Sequence, residues 1–306
     1  MKREEKRKLI IIGAGPAGLS AGIYAARAGL SPVIIENATV GGQMSSAELV
    51  ENYPGAPEIA GARLSEVMRR QAEKQGATLE QFDPFTSAEL SDTDKLVETE
   101  NCRYIAEAVI IAAGAAPVRL PESVEGKFRF RGVHYCALCD GNAYRGKSVG
   151  VVGGGNGALA DALYLAGICE RVTLIRRGST FHAEQRLIDL AQREPKIRIL
   201  YNTDLKALGD GDYLEFAEVE RDGKRERISL SGLFCRLGNK PNSEPFSGVT
   251  LSDRGFIPTD ISMRTNLARV YAAGDIREKE CRQIVTAVSD GAIAALTAER
   301  ELAEKG

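Results

Sequence analysis

Residues 8–37, KLIIIGAGPAGLSAGIYAARAGLSPVIIEN, decide the fold. An apolar strand runs into a glycine-rich turn at Gly13, Gly15 and Gly18, an Ala-rich helix follows, and a second apolar strand ends at Glu36. That order is a complete βαβ unit. In such a unit Gly13 permits the tight turn, Gly15 lets the backbone approach a pyrophosphate, and Gly18 allows close helix packing. The helix N-terminus then faces the negative charge. Glu36 closes the second strand at the distance where an acid accepts hydrogen bonds from ribose hydroxyls. Glycine-rich turns also serve plain packing, but the strand–turn–helix–strand setting with the acid in place points to a dinucleotide.

The device occurs twice. Residues 147–178, KSVGVVGGGNGALADALYLAGICERVTLIRRG, carry a strand (Val149 to Val152), a turn with Gly153, Gly155, Asn156 and Ala158, a helix, and a strand (Val172 to Ile175). No acid follows; Arg176 and Arg177 stand in its place. An acid there would repel a 2′-phosphate, whereas two arginines would bind one. Such a pair also reads as a solvated strand end.

The composition narrows the class. The chain has 306 residues, 43% hydrophobic and 27% charged, long enough for two domains with sizeable cores. Forty basic residues against 42 acidic ones give a net charge of −2, so no basic field is available for nucleic acid or an anionic membrane. The opening MKREEKRK has no apolar stretch of signal-peptide length behind it and reads as a solvated tail. No apolar run reaches the ~18 residues of a membrane span. Six cysteines, four of them unpaired by spacing, favour a reducing, cytoplasmic setting.

The remaining two, Cys136 and Cys139 in HYCALCDG (134–141), allow three readings: half of a zinc site, a redox-active dithiol, or two small buried residues. Zinc would need two more ligands at matching spacing, and Cys102, Cys169, Cys235, Cys281, His134 and His182 are all isolated, so no metal is expected. Asp140, directly behind the pair, is a general acid for a leaving thiolate or a helix N-cap. Near the C-terminus ARVYAAGDI (268–276) reads as a short strand stopping at Gly274 and Asp275, followed by a terminal helix of small residues.

Two glycine units, GGQM (41–44), ENYPG (51–55), CALCDG (136–141), GGGNGALADALYLAG (153–167), AAGDI (272–276) and RQIVTA (282–287) together resemble the low-molecular-weight thioredoxin reductases of the pyridine nucleotide-disulfide oxidoreductase family. The resemblance is collinear over nearly the whole chain. It implies an α/β fold of two Rossmann-like domains, the second inserted into the first. An FAD domain would comprise 1–113 and 243–306, and an NAD(P)H domain carrying the CxxC 114–242. AAGAAPVRLP (112–121) and GNKPNSEP (238–245) have the small residues and prolines of domain crossings.

By the same resemblance FAD would be held by Gly13, Gly15, Pro16, Ala17, Gly18, Glu36, Gly42, Gln43, Asn52, Gly114, Gly274, Asp275, Arg282 and Gln283. NADPH would be held by Gly153, Gly155, Asn156, Ala158, Arg176 and Arg177, with His182 adding help when protonated. The implied activity passes electrons from NADPH through FAD to Cys136/Cys139 and on to a thioredoxin or thioredoxin-like protein. Cys139 would be the flavin-facing thiol and Cys136 the one that attacks the partner. A homodimer and domain rotation between half-reactions are implied as well.

Three departures stand out. The family's ATG before the first crossing is AAG here, Ala112 to Gly114. The two aromatics that help dock thioredoxin correspond to Asn142 and Ala143, which implies an atypical cognate redoxin, with His134 and Arg131 as alternative polar contacts or solvated residues. In IRRGSTFHAE (175–184), Ile175 and His182 occupy outer positions where the family has His and Arg. A dithiol oxidase on the same fold, a flavin-binding sensor, or a reductase with another electron donor are the alternatives.

Overall fold

The computed structural model describes residues 2–47, 49–129, 131–209 and 211–304. The chain divides into two compact units, one of residues 1–116 with 240–306 and one of residues 117–239.

The first unit is built on an eight-stranded sheet. Its central strand, Arg3–Ile12, pairs in parallel with Val33–Ile35 on one side and Cys102–Ile111 on the other, in the register Ile11↔Ile34 and Ile11↔Ile110. The uninterrupted apolar run follows from burial on both faces. Leu9 and Ile11 face a core with helices Pro16–Arg27 and Ile284–Ala303, while Ile10 and Ile12 face a second core with Phe246, Ile257 and Ile276. Close approach of the two helices needs Gly291, where a Cβ would run into the Ala17 carbonyl.

The charged opening is not a tail. Arg3 to Arg7 pair in parallel with Cys102 to Ala106, extending the central strand. Backbone hydrogen bonds make this pairing, while most of the charged side chains stay in solvent and Lys2 reaches Glu98 at 2.6 Å. A charged edge of this kind discourages pairing with other chains.

The second unit is a five-stranded parallel sheet in the order Ile197–Leu200, Arg171–Ile175, Ser148–Gly153, Gly232–Arg236, Val133–His134. One face packs Val149, Val151, Leu174 and Phe234 against the helix Asn156–Ala166. The other packs Leu233 and Cys235 against Ala217 and Val219 of an antiparallel meander, Thr203–Leu208, Phe216–Arg221 and Lys224–Ser229. Cys102, Cys169 and Cys235 are buried free thiols, whereas Cys281 is exposed. No helix among the described residues is long and apolar enough to cross a membrane.

Candidate active site

In the first unit the glycine turn leaves the central strand with Gly13 at φ 106, a left-handed conformation natural to glycine. A Cβ on Gly18 would run into the Gly13 carbonyl, so the helix can approach the strand only with glycine there. Gly15 precedes the helix in an extended conformation, Pro16 opens it, and no side chain caps it. Its first N–H groups therefore remain available to an anion. The Glu36 carboxylate accepts from Ala14 N at 2.7 Å and Ala38 N at 2.8 Å, which pins it beside the turn. Gly42 lies against this turn, 3.5 Å separating a Cβ there from Gly15 Cα. The Gln43 side chain donates to the Ala115 carbonyl, next to Gly114 at φ 68.

The late motif joins the same unit. Gly274 follows the strand Val270–Ala272, and its N–H donates to Asp290 Oδ2 at 3.0 Å. Asp290 also binds Arg277 and Lys279 at 2.8 Å each, an ion cluster that sequence reasoning missed; an aspartate inside a small-residue helix was its only signal. Gln283 caps the terminal helix through a capping box and accepts from Asn52 Nδ2 at 3.2 Å. Arg282 lies 4.4 Å above the Phe256 ring. Asp275 Oδ1 is buried with no partner among the described residues. Burial pushes its carboxyl above the usual range, partly countered by Lys279 and Arg282. An uncapped helix start, a glycine cradle and this orphaned acceptor fit a bound dinucleotide with hydroxyl or amide donors.

The second glycine turn is differently furnished. Gly155 is extended and uncapped before the helix, and Ala158 is buried beneath it. His182 N donates to Gly154 O at 2.8 Å, and Asn156 exchanges bonds with Glu184 through Oδ1 at 2.8 Å and Nδ2 at 3.1 Å. The segment after the second strand thus folds back over the turn. Arg176 goes with it: its Nε donates to Thr180 O at 2.7 Å, and its guanidinium covers Gly154. Arg177 and the His182 side chain are exposed. Sequence reasoning also missed Arg236, at the C-terminal end of the neighbouring strand, whose Nε meets Asp161 Oδ2 at 2.5 Å. Burial holds the Asp161 carboxyl above its usual range, partly countered by Arg236.

Cys136 and Cys139 are joined as a disulfide with Cα atoms 5.3 Å apart. Cys136 caps the short helix Ala137–Asp140 with its backbone and Cys139 lies within it; Cys139 is exposed and Cys136 half-buried. Asp140 makes no side-chain cap bond, so the capping role does not apply. Its carboxylate lies 3.4 Å from His134 Nδ1. His134 is not a solvated flank: it stacks on Phe234 and its Nε2 is 2.6 Å from Tyr144 Oη. Arg131, Asn142 and Ala143 are exposed. Among the described residues there is no cluster of metal-binding side chains.

Residues 7–291 match the family model described as pyridine nucleotide-disulphide oxidoreductase. The chain is 39% identical to the "34.2 kDa protein in rubredoxin operon" of Clostridium pasteurianum, with all of both chains covered. It is 38% identical to the thioredoxin reductase of Bacillus subtilis (strain 168) over 99% of this chain and 97% of that one. The crystal structure of thioredoxin reductase from Streptococcus pyogenes matches with a TM-score of 0.89 and 35% identity, covering 98% of this chain and 99% of that one.

Proposed function

The chain belongs to the pyridine nucleotide-disulphide oxidoreductase family, and from that premise we propose that it is a thioredoxin reductase that uses FAD and NADPH. The Cys136–Cys139 disulfide carries this reading: it sits on a four-residue helix directly before a dinucleotide-type βαβ unit, in a chain that holds a second such unit.

A flavin bound to the first unit supplies the ability to take up two electrons together and return them as a pair. The chain's residues do the rest. Gly13, Gly15, Pro16, Ala17 and Gly18 hold the pyrophosphate of FAD, Glu36 its ribose, and Gly42, Gln43, Asn52, Gly114, Gly274, Asp275, Arg282 and Gln283 complete the site. Gly153, Gly155, Asn156 and Ala158 hold NADPH, with Arg177 on the 2′-phosphate and Arg176 and His182 shaping the wall around it. Once reduced, Cys136 attacks the partner's disulfide, Cys139 resolves the mixed disulfide, and Asp140 protonates the leaving thiolate. The two units reorient between half-reactions, and the enzyme works as a cytoplasmic homodimer on a thioredoxin-like protein.

The test is anaerobic mixing of the holoenzyme with NADPH, followed by an oxidised thioredoxin. Flavin bleaching at a catalytic rate and stoichiometric thiol release support the reading; a flavin that NADPH does not bleach refutes it. A second reading keeps the dithiol chemistry and replaces the donor by a reduced carrier protein or flavin. The commitment of Arg176 to Thr180 and the relative named for the rubredoxin operon both favour it. Slow bleaching by both coenzymes, with fast bleaching by a reduced ferredoxin, selects this alternative.

A further inference from the structure

We propose that His134 is a positioning residue for the proton donor at the dithiol, tying Asp140 to Tyr144 and returning protons to the Asp140 carboxylate. The inference rests on the reading of Cys136–Cys139 as the dithiol that reduces a partner's disulfide.

Three side chains form one line within the second unit. His134 Nδ1 is 3.4 Å from Asp140 Oδ2, and His134 Nε2 is 2.6 Å from Tyr144 Oη. The imidazole is fixed from both sides: it stacks on Phe234 at 5.4 Å between centroids and meets Tyr144 edge-on at 5.2 Å. Its side chain is only 15% exposed, against 41% for Asp140. The buried end of the line is thus rigid, and its wet end lies beside the cysteines. Burial, with a contribution from Asp140, pushes the Tyr144 hydroxyl up to about 12, so it stays neutral through the working range. Asp140 and Tyr144 are the titratable groups that meet the imidazole, the Lys147 ammonium lies 5.5 Å from the Tyr144 ring centroid, and the Phe234 face is apolar.

The chemistry needs such a line. Cys136 sulfur attacks one sulfur of the partner's disulfide, the partner's S–S bond breaks, and the leaving sulfur keeps the electron pair and takes a proton. Cys139 sulfur then displaces the partner from Cys136, restoring the disulfide and releasing the second thiol. Two electrons and two protons have moved from dithiol to partner. A general acid that gives its proton to the leaving sulfur must be reloaded before the next turnover. The His134 imidazole, between Asp140 and Tyr144, is the group placed to do so. Placed behind Asp140, it gives the carboxylate a proton to pass on.

The leaving group provides the test. Holoenzyme reduced with dithiothreitol and desalted anaerobically is mixed with 2-hydroxyethyl disulfide, whose alkyl thiolate needs a proton to leave. A parallel reaction uses 5,5′-dithiobis(2-nitrobenzoate), whose aromatic thiolate leaves without one. His134→Phe keeps the ring against Phe234 and should slow the first reaction by about tenfold or more, a fraction of the ~10²–10⁴ typical of general acid catalysis, and the second by less than about twofold. Equal slowing of both reactions, or of neither, overturns the proposal. If His134→Phe loses its visible flavin spectrum, His134→Gln, which keeps a hydrogen-bonding side chain but cannot take up and pass on a proton, is judged by the same contrast. Failure of the parent reading registers elsewhere, as wild-type enzyme that leaves a thioredoxin disulfide intact while the leaving-group contrast persists.

Discussion

Arg177→Ala should abolish most of the preference for NADPH while leaving activity with NADH unchanged. The Arg177 side chain is exposed beyond the second βαβ unit, whereas Arg176 is turned back to Thr180 O at 2.7 Å and covers Gly154. Arg177 can therefore answer a 2′-phosphate without disturbing the turn. A charge-assisted hydrogen bond contributes about 1.5–3 kcal/mol, and an exposed one belongs at the low end. Since about 1.4 kcal/mol is a factor of ten, kcat/KM for NADPH should fall about tenfold. Arg176→Ala should act differently: it removes the donor that holds residues 178–182 over the glycine turn, so both coenzymes should lose efficiency together. Steady-state rates at limiting coenzyme, measured for the two variants and wild type, separate these outcomes. Equal loss with NADH and NADPH in Arg177→Ala would refute the assignment and leave Arg177 a solvated strand end.

Gly18→Ala should lower both FAD content and Tm, because its methyl would run into the Gly13 carbonyl and overpacking of this kind costs about 1–3 kcal/mol; full FAD content at unchanged Tm refutes the cradle. Asp275 gives a pH dependence. Burial raises its folded-state carboxyl above the usual range, so the folded chain keeps a proton that the unfolded chain releases. Stability of the FAD-stripped protein should then fall as pH rises from about 4 through the raised value, and Asp275→Asn should flatten that slope in Tm; an unchanged slope refutes it. With Asn142 and Ala143 exposed where two aromatics would dock a partner, an unrelated thioredoxin should be reduced with kcat/KM about 30-fold below that for the cognate redoxin, the equivalent of ~2 kcal/mol of lost anchoring. Equal efficiencies would sink that idea.

Local pattern made the α/β class legible. Each glycine turn lies between an apolar run and a helix of small residues, and all of those elements are neighbours in sequence. What escaped depends on distant partners. Arg3 to Arg7 carry no apolar signal, and they become strand because Cys102 to Ala106 offer a backbone edge. Asp290 meets Arg277 and Lys279, and Asp161 meets Arg236, only after the chain has folded. The direction taken by Arg176 was equally hidden, since nothing in IRRG says which arginine turns back. His134 stood in the sequence as an isolated flank of the dithiol, and its role emerged with Phe234, about 100 residues downstream, stacked against it.

Anaerobic stopped-flow mixing of NADPH with wild type, Cys136→Ser and Cys139→Ser, followed by an oxidised redoxin, tests the central claim most directly. The flavin should bleach at closely similar rates in all three proteins, because the coenzyme step precedes the thiols. Only the wild type should then release redoxin thiols, while Cys281→Ser, which alters an exposed cysteine outside the disulfide, should match it. Substantial turnover of the redoxin by either cysteine variant would remove Cys136 and Cys139 from the mechanism and contradict the account.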